Sequence, residues 1–140
     1  MMEKRVTGLG GIFLKMNDPK ATTTWYDKHL GLNFKGNSYQ TFKWRDRERP
    51  DQLGRTEFSL FPKNTKYFEP SESSFMLNLR VENLEKLLDI LRGEGVTIVG
   101  EMELFDYGKF AWILDPEGNK IELWEPIDEV LEKYDEENNI

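Results

Sequence analysis

An α+β fold built from two tandem βαβββ modules is what this chain predicts, on three observations. The order strand, helix, strands runs twice through its 140 residues. Punctuation recurs in register: Gly31 with Gly95, Phe34 with Ile98, Asp51 with Asp115, Gly54 with Gly118 and Pro62 with Pro126, each pair 64 positions apart (118 against 54). The second copy also closes in a clear hairpin. Its two runs, 110–114 and 120–125, are rich in β-branched and aromatic residues and flank Asp115-Pro-Glu-Gly-Asn119. There Pro116 presets a turn and Gly118 can supply positive φ.

In chain order, residues 9–16 read as a strand with Ile12, Leu14 and Met16 on one face and Gly11, Phe13 and Lys15 on the other. Asp18 can cap a helix whose first position suits Pro19, and Gly31 ends it after Leu30. Helical spacing puts Ala21, Trp25 and His29 along one side beside Tyr26 and Leu30, so His29 falls in the apolar arc. It is the sole histidine, and two roles stay open: catalysis, or packing with a bond to a carbonyl.

Residues 32–35, 39–45 and 55–61 read as strands, separated by Gly36-Asn37-Ser38 and by the charged loop 46–54. Residues 62–74 hold two prolines and three serines with little periodicity, which makes them a linker, or a lid carrying Tyr67 and Phe68. The second cycle opens at 75–81, with Phe75, Leu77, Leu79 and Val81 opposite Met76, Asn78 and Arg80. Leu84, Leu87, Leu88 and Leu91 then mark an amphipathic helix ended by Gly93 and Gly95. Strands follow at 96–99, 101–107, 109–114 and 120–125. This divides the chain into module one (9–62), a linker or lid (63–74), module two (75–126) and a tail (127–140). In the tail, Ile127, Val130, Leu131 and Tyr134 predict a short docked helix with a frayed end.

A formal charge of −7 argues against a nucleic-acid partner, which needs a basic face. No apolar run approaches a bilayer span, so no membrane partner is expected. The chain lacks cysteine, which excludes thiolate chemistry and suits the cytoplasm. In the last strand Ile121 and Leu123 share one face, and Lys120, Glu122 and Trp124 the other. A carboxylate in mid-strand faces either solvent or a polar-lined cup, and that choice decides the function.

The run Trp-Tyr-Asp-Lys-His-Leu-Gly-Leu (25–32) and the run Asp-Pro-Glu-Gly-Asn-Lys-Ile-Glu-Leu (115–123) resemble the vicinal oxygen chelate superfamily. This superfamily takes in glyoxalase I, bleomycin- and fosfomycin-resistance proteins and extradiol dioxygenases. The likeness covers about residues 9–126 and is nearest to glyoxalase-like proteins ending in Trp-Glu-Pro, here 124–126.

The resemblance implies a curled mixed sheet around a cup, and a homodimer. It places metal-ligand slots at Gly11, Phe58, Met76 and Glu122, of which only Glu122 can coordinate. Glu57, one residue from its slot, turns inward if a bulge intervenes. No metal and no cofactor are therefore expected, with a weakly held divalent ion at Glu122 the alternative kept open.

What remains is an aromatic cup for a small molecule, lined by Phe13, Lys15, Trp44, Phe58, Met76, Trp112 and Trp124, with Phe42 and Arg80 beside them. In an enzyme, Glu122 is the acid/base group on a carbonyl-containing compound, and Arg80 or Asn78 holds the developing anion. In a drug-sequestering binder the rings supply affinity and the carboxylate supplies charge. A module acting through protein partners has the acidic tail as its one support.

Overall fold

The computed structural model describes residues 5–138; the last two positions of the expected frayed tail lie outside them. Seven strands form one curled, unclosed sheet: β1 (Val6–Met16), β2 (Tyr39–Arg45), β3 (Leu53–Pro62), β4 (Phe75–Val81), β5 (Ile98–Phe105), β6 (Gly108–Leu114) and β7 (Lys120–Pro126). Helix α1 (Pro19–Leu30) follows β1, α2 (Leu84–Gly93) follows β4, and α3 (Asp128–Glu137) follows β7. None of these helices is long and apolar enough to cross a membrane.

The sheet order is β2-β3-β1-β4-β7-β6-β5. In each module the first strand pairs in parallel with the last, β1 with β3 and β4 with β7, and the modules join through antiparallel β1 and β4. The 64-residue repeat is thus an architectural one, with its join at the centre of the sheet.

The caps form as the residues dictate. Asp18 Oδ1 accepts from the Ala21 amide, Pro19 opens α1, and Gly31 ends it at φ 66°. In α2 the four leucines are all buried against Val81, Ala111 and Leu123. The 115–119 turn closes as read, with Gly118 at φ 81° and Asp115 Oδ1 accepting from the Glu117 and Asn119 amides. Because Leu123 and Ile121 pack on the α2 side, Glu122 points the other way, into the concave face.

Several expectations need correction. Residues 32–35 are not a strand: side chains satisfy their amides, Asp27 taking the Phe34 and Lys35 N–H groups and Gln40 that of Asn33. The short run at 96–99 is no separate strand either. Only Ile98 and Val99 are strand, as the start of β5, whose pairing shifts between Val99 and Glu103 around Gly100 at φ 70°.

Helix α1 buries Thr23 and sets Tyr26 against Phe34 and Phe58, while Trp25, His29 and Leu30 are exposed. Its apolar side chains do not form one stripe, so the sheet takes the Tyr26 side, and His29 instead lies beside the Trp25 ring. The tail helix likewise docks through charge. Asp135 is buried against Arg55, whereas Ile127, Val130 and Tyr134 stay exposed.

Candidate functional site

The strand register lays one row across the centre of the concave face: Glu57 opposite Gly11, Gly11 opposite Asn78, and Asn78 opposite Glu122. Glu57 reaches this face through regular pairing of β3 with β1. The irregularity lies in β1, where two residues, Gly10 and Gly11, crowd against Asn78. Phe58 consequently points to the opposite side, against Tyr26 at 5.4 Å and Phe34 at 5.6 Å between centroids, and does not line the cup. Met76 stands opposite Phe13, so Asn78 takes the place beside Glu122 that Met76 was expected to fill.

Glu122 is 2% exposed, which excludes a solvated sheet face. Three donors reach it: Asn78 Nδ2 at 2.6 Å on Oε1, Trp112 Nε1 at 2.9 Å on Oε2, and the Tyr67 hydroxyl, also on Oε2. Burial pushes this carboxyl above the ordinary glutamate range, against the pull of its hydrogen bonds and of Lys120. Burial likewise holds the Lys120 ammonium below its usual value. Lys120 Nζ donates to the Tyr67 carbonyl at 2.8 Å and lies over the rings of Tyr67 and Trp112. Burial, with the Glu122 charge, raises the Tyr67 phenol, which keeps it a donor.

The cup is largely filled by the chain itself. Phe13, Phe68, Met76 and Trp112 form a second buried cluster with Phe61, Val99 and Phe110 against it. Segment 63–74 lies over this half: Phe68 is fully buried, Tyr67 stacks on Phe61, and Ser73 bonds Asn119. Lys15 sits over the Phe68 ring at 5.3 Å, and its backbone amide bonds Ser74. The aromatic run of this segment, Tyr67-Phe68, was its signal in the sequence.

On the other half, Arg80 lies between Trp44 and Trp124, 5.3 and 5.5 Å from the ring centroids, and donates to Asp128 Oδ2 at 2.6 Å. Trp124 in turn stacks on Phe110. Phe42 is exposed. Arg55, Asp135 and Asp128, which close this half, were invisible in the sequence because their partners lie some 50 to 80 residues away.

This donor set does not suit a divalent ion. Three hydrogen-bond donors already engage the Glu122 carboxyl, Gly11 offers no side chain, and Asn78 turns its amide N–H₂ toward the carboxyl. Glu57 is engaged by Thr41 and Arg55. Among the described residues, no three His, Cys, Asp or Glu side chains gather as ligands.

The sequence matches the Glyoxalase/Bleomycin resistance protein/Dioxygenase superfamily over residues 8–123. The chain belongs to that superfamily. Its fold is shared with methylmalonyl-CoA epimerase from Mycobacterium tuberculosis, at 20% identity over 94% of this chain and 95% of that one, TM-score 0.58. A Streptomyces coelicolor methylmalonyl-CoA epimerase variant in complex with 2-nitronate-propionyl-CoA gives a TM-score of 0.60 at 15% identity, over 87% and 99% of the two chains. A Legionella pneumophila structure described as an NAD-dependent benzaldehyde dehydrogenase gives 0.54 at 11%, over 83% and 97%. No curated protein sequence matches this chain significantly. Superfamily members with this scaffold carry different chemistries, so function has to be argued from the site.

Proposed function

We propose that the concave face around Glu122 binds a small carbonyl-containing molecule and moves a proton on it, with Glu122 as the acid/base group. The observation that carries this reading is a carboxyl, 2% exposed, that hydrogen-bonds no cation and whose affinity for a proton is raised by burial. A carboxyl that burial inclines toward its protonated form is suited to take up a proton and give it back.

As a carboxylate, Glu122 takes a proton from the carbon beside the carbonyl. The C–H electron pair then forms a C=C bond and the carbonyl oxygen becomes an enolate. Return of the proton to carbon completes an isomerisation or epimerisation, with no oxidant or reductant required.

Asn78 fits both protonation states. Its Nδ2 donates to the carboxylate, and its Oδ1, buried with no partner among the described residues, can accept from the acid once the amide turns over. Lys120 supplies positive charge near the developing enolate. Arg80, expected from the sequence to do this, is held instead by Asp128 and two indoles.

The test is proton NMR in D₂O with 2-oxo acids and 2-oxoaldehydes. Wild type should accelerate exchange of the protons next to the carbonyl, and Glu122→Gln should not. Equal exchange by both proteins would remove Glu122 from the reaction.

A second reading, a non-catalytic binder of the bleomycin-resistance kind, is favoured by one feature. Phe61 and Trp112 already hold one aromatic ring between them, that of Tyr67, stacked on the first and edge-on to the second. Planar aromatic compounds would then raise the melting temperature with no proton exchange.

A further inference from the structure

The Tyr67 side chain sits at the mouth of the cup as a bound ligand would. Three walls around its ring come from the sheet: Phe61 of β3 stacks at 5.7 Å and 5°, Trp112 of β6 meets it edge-on at 6.3 Å and 86°, and Lys120 of β7 lies 5.3 Å from its centroid. At the closed end, the hydroxyl meets buried Glu122. Tyr67 itself comes from the irregular segment 63–74 and is 39% exposed. Its neighbour Phe68, fully buried, anchors the segment independently. The Tyr67 ring can therefore swing outward about its own side-chain bonds while Phe68 stays in place.

We propose that Tyr67 is a tethered occupant of a ligand slot, and that the compound replacing it is a small uncharged hydroxyaryl molecule whose O–H donates to Glu122 Oε2. This inference rests on the reading of Glu122 as the binding carboxyl. The chemistry of the slot selects the class. When Tyr67 leaves, a buried acceptor loses a donor, and an incoming O–H restores it. The stacked and edge-on rings fit one planar ring. Lys120 over the ring face favours an electron-rich ring and opposes an ammonium, while Glu122 at the closed end opposes a carboxylate. Because the occupant is attached to the same chain, it competes at a high effective concentration, so removing it should strengthen binding of a free phenol.

The test uses the full chain, with p-cresol as probe and toluene as its hydroxyl-free counterpart. The readout is the indole N–H resonance of Trp112, which is bonded to the same carboxyl oxygen. Tyr67→Ala should bind p-cresol at least roughly ten-fold more tightly than wild type does, because the competing occupant is gone, with a saturable shift of that resonance. It should also prefer p-cresol to toluene by about ten-fold, since the slot's buried acceptor rejects the compound lacking a donor.

Adding Glu122→Leu, which removes the acceptor altogether, should abolish that preference. Should the alanine variant fold poorly, Tyr67→Phe keeps the ring and removes only the hydroxyl; its p-cresol affinity should rise above that of wild type. Equal binding of p-cresol and toluene, p-cresol binding that leaves the Trp112 resonance unmoved, or no binding to either Tyr67 variant would overturn the proposal. If those failures occur while Glu122-dependent proton exchange persists, this inference falls alone. If exchange is absent too, the reading beneath it falls with it.

Discussion

Arg55 and Asp135, eighty positions apart in the chain, form a buried ion pair with Nη2 and Oδ2 2.6 Å apart and both side chains 4% exposed. That contact pins α3 onto β3 and explains why the tail helix docks through its charged side. Burial alone would raise the Asp135 carboxyl, but hydrogen bonds from Arg55 and Lys43 bring it below the usual aspartate range. A depressed carboxylate stabilises the fold above its unfolded-state pKa, and that contribution is lost as pH falls through the folded value.

Asp135→Asn should therefore destabilise the protein by about 2–3 kcal/mol at neutral pH, less than a wholly orphaned cation costs because Glu132 still reaches Arg55 at 3.1 Å. Urea melts at neutral and acidic pH would check both parts. The gap between the two proteins should shrink toward strong acid, and a constant gap would contradict the pairing.

The opposite sign holds at Glu122. Its carboxyl is raised by burial, so its contribution to stability is complete below the unfolded glutamate pKa and declines as pH rises toward the folded one. Glu122→Gln cannot titrate. It should cost about 1–3 kcal/mol at the acidic end, where its N–H₂ faces donors that the acid form accommodates better. The difference from wild type should narrow at higher pH, read from urea melts between about pH 5 and 8. A difference that widens with pH would mean that the three hydrogen bonds outweigh burial.

Two glycines make a paired test of packing. A Cβ on Gly54 would collide with the Trp44 ring, whereas one on Gly93, at the end of α2, meets nothing within 4 Å. Gly54→Ala should therefore cost about 1–3 kcal/mol through displacement of Trp44. Gly93→Ala should be neutral or stabilising by up to about 1 kcal/mol. Thermal melts of the two variants give the comparison directly. Trp44 fluorescence should change only in the first.

How much of this was legible beforehand follows from the range of each interaction. The αβ order, the caps at Asp18 and Gly31, the leucine stripe of α2 and the 115–119 turn are local and were readable as written. The repeat at 64 positions made the double module readable as well. Residues 32–35 misled because Asp27 and Gln40, seven or eight positions from the amides they satisfy, take bonds that a strand partner would otherwise take. Phe58 misled because a slot carried over by resemblance was one residue out of register, and in a strand one residue reverses the face. Alternation put Glu122 on the face opposite Ile121 and Leu123 but left solvent or cup open, because its neighbours Tyr67, Asn78 and Trp112 lie on three separate segments that only folding brings together.

The last prediction concerns whether segment 63–74 opens on its own. Phe68 is fully buried, meets Phe61 edge-on at 5.2 Å and packs in the cluster with Phe13, Met76 and Trp112. Truncating it removes a core ring, so Phe68→Ala should cost about 3–5 kcal/mol if the segment is an integral part of the core. If it is a lid, the loss should instead be felt mostly as local opening, because the Tyr67 contacts to Glu122 and Lys120 then lack their anchor. Trypsin separates the two cases, since Lys63 and Lys66 lie on the segment and are exposed. We expect cleavage there to accelerate in Phe68→Ala by more than the change in global stability measured in urea accounts for. Cleavage that rises only in step with global unfolding would make the segment part of the core, and the slot beneath Tyr67 would then open through its side chain alone.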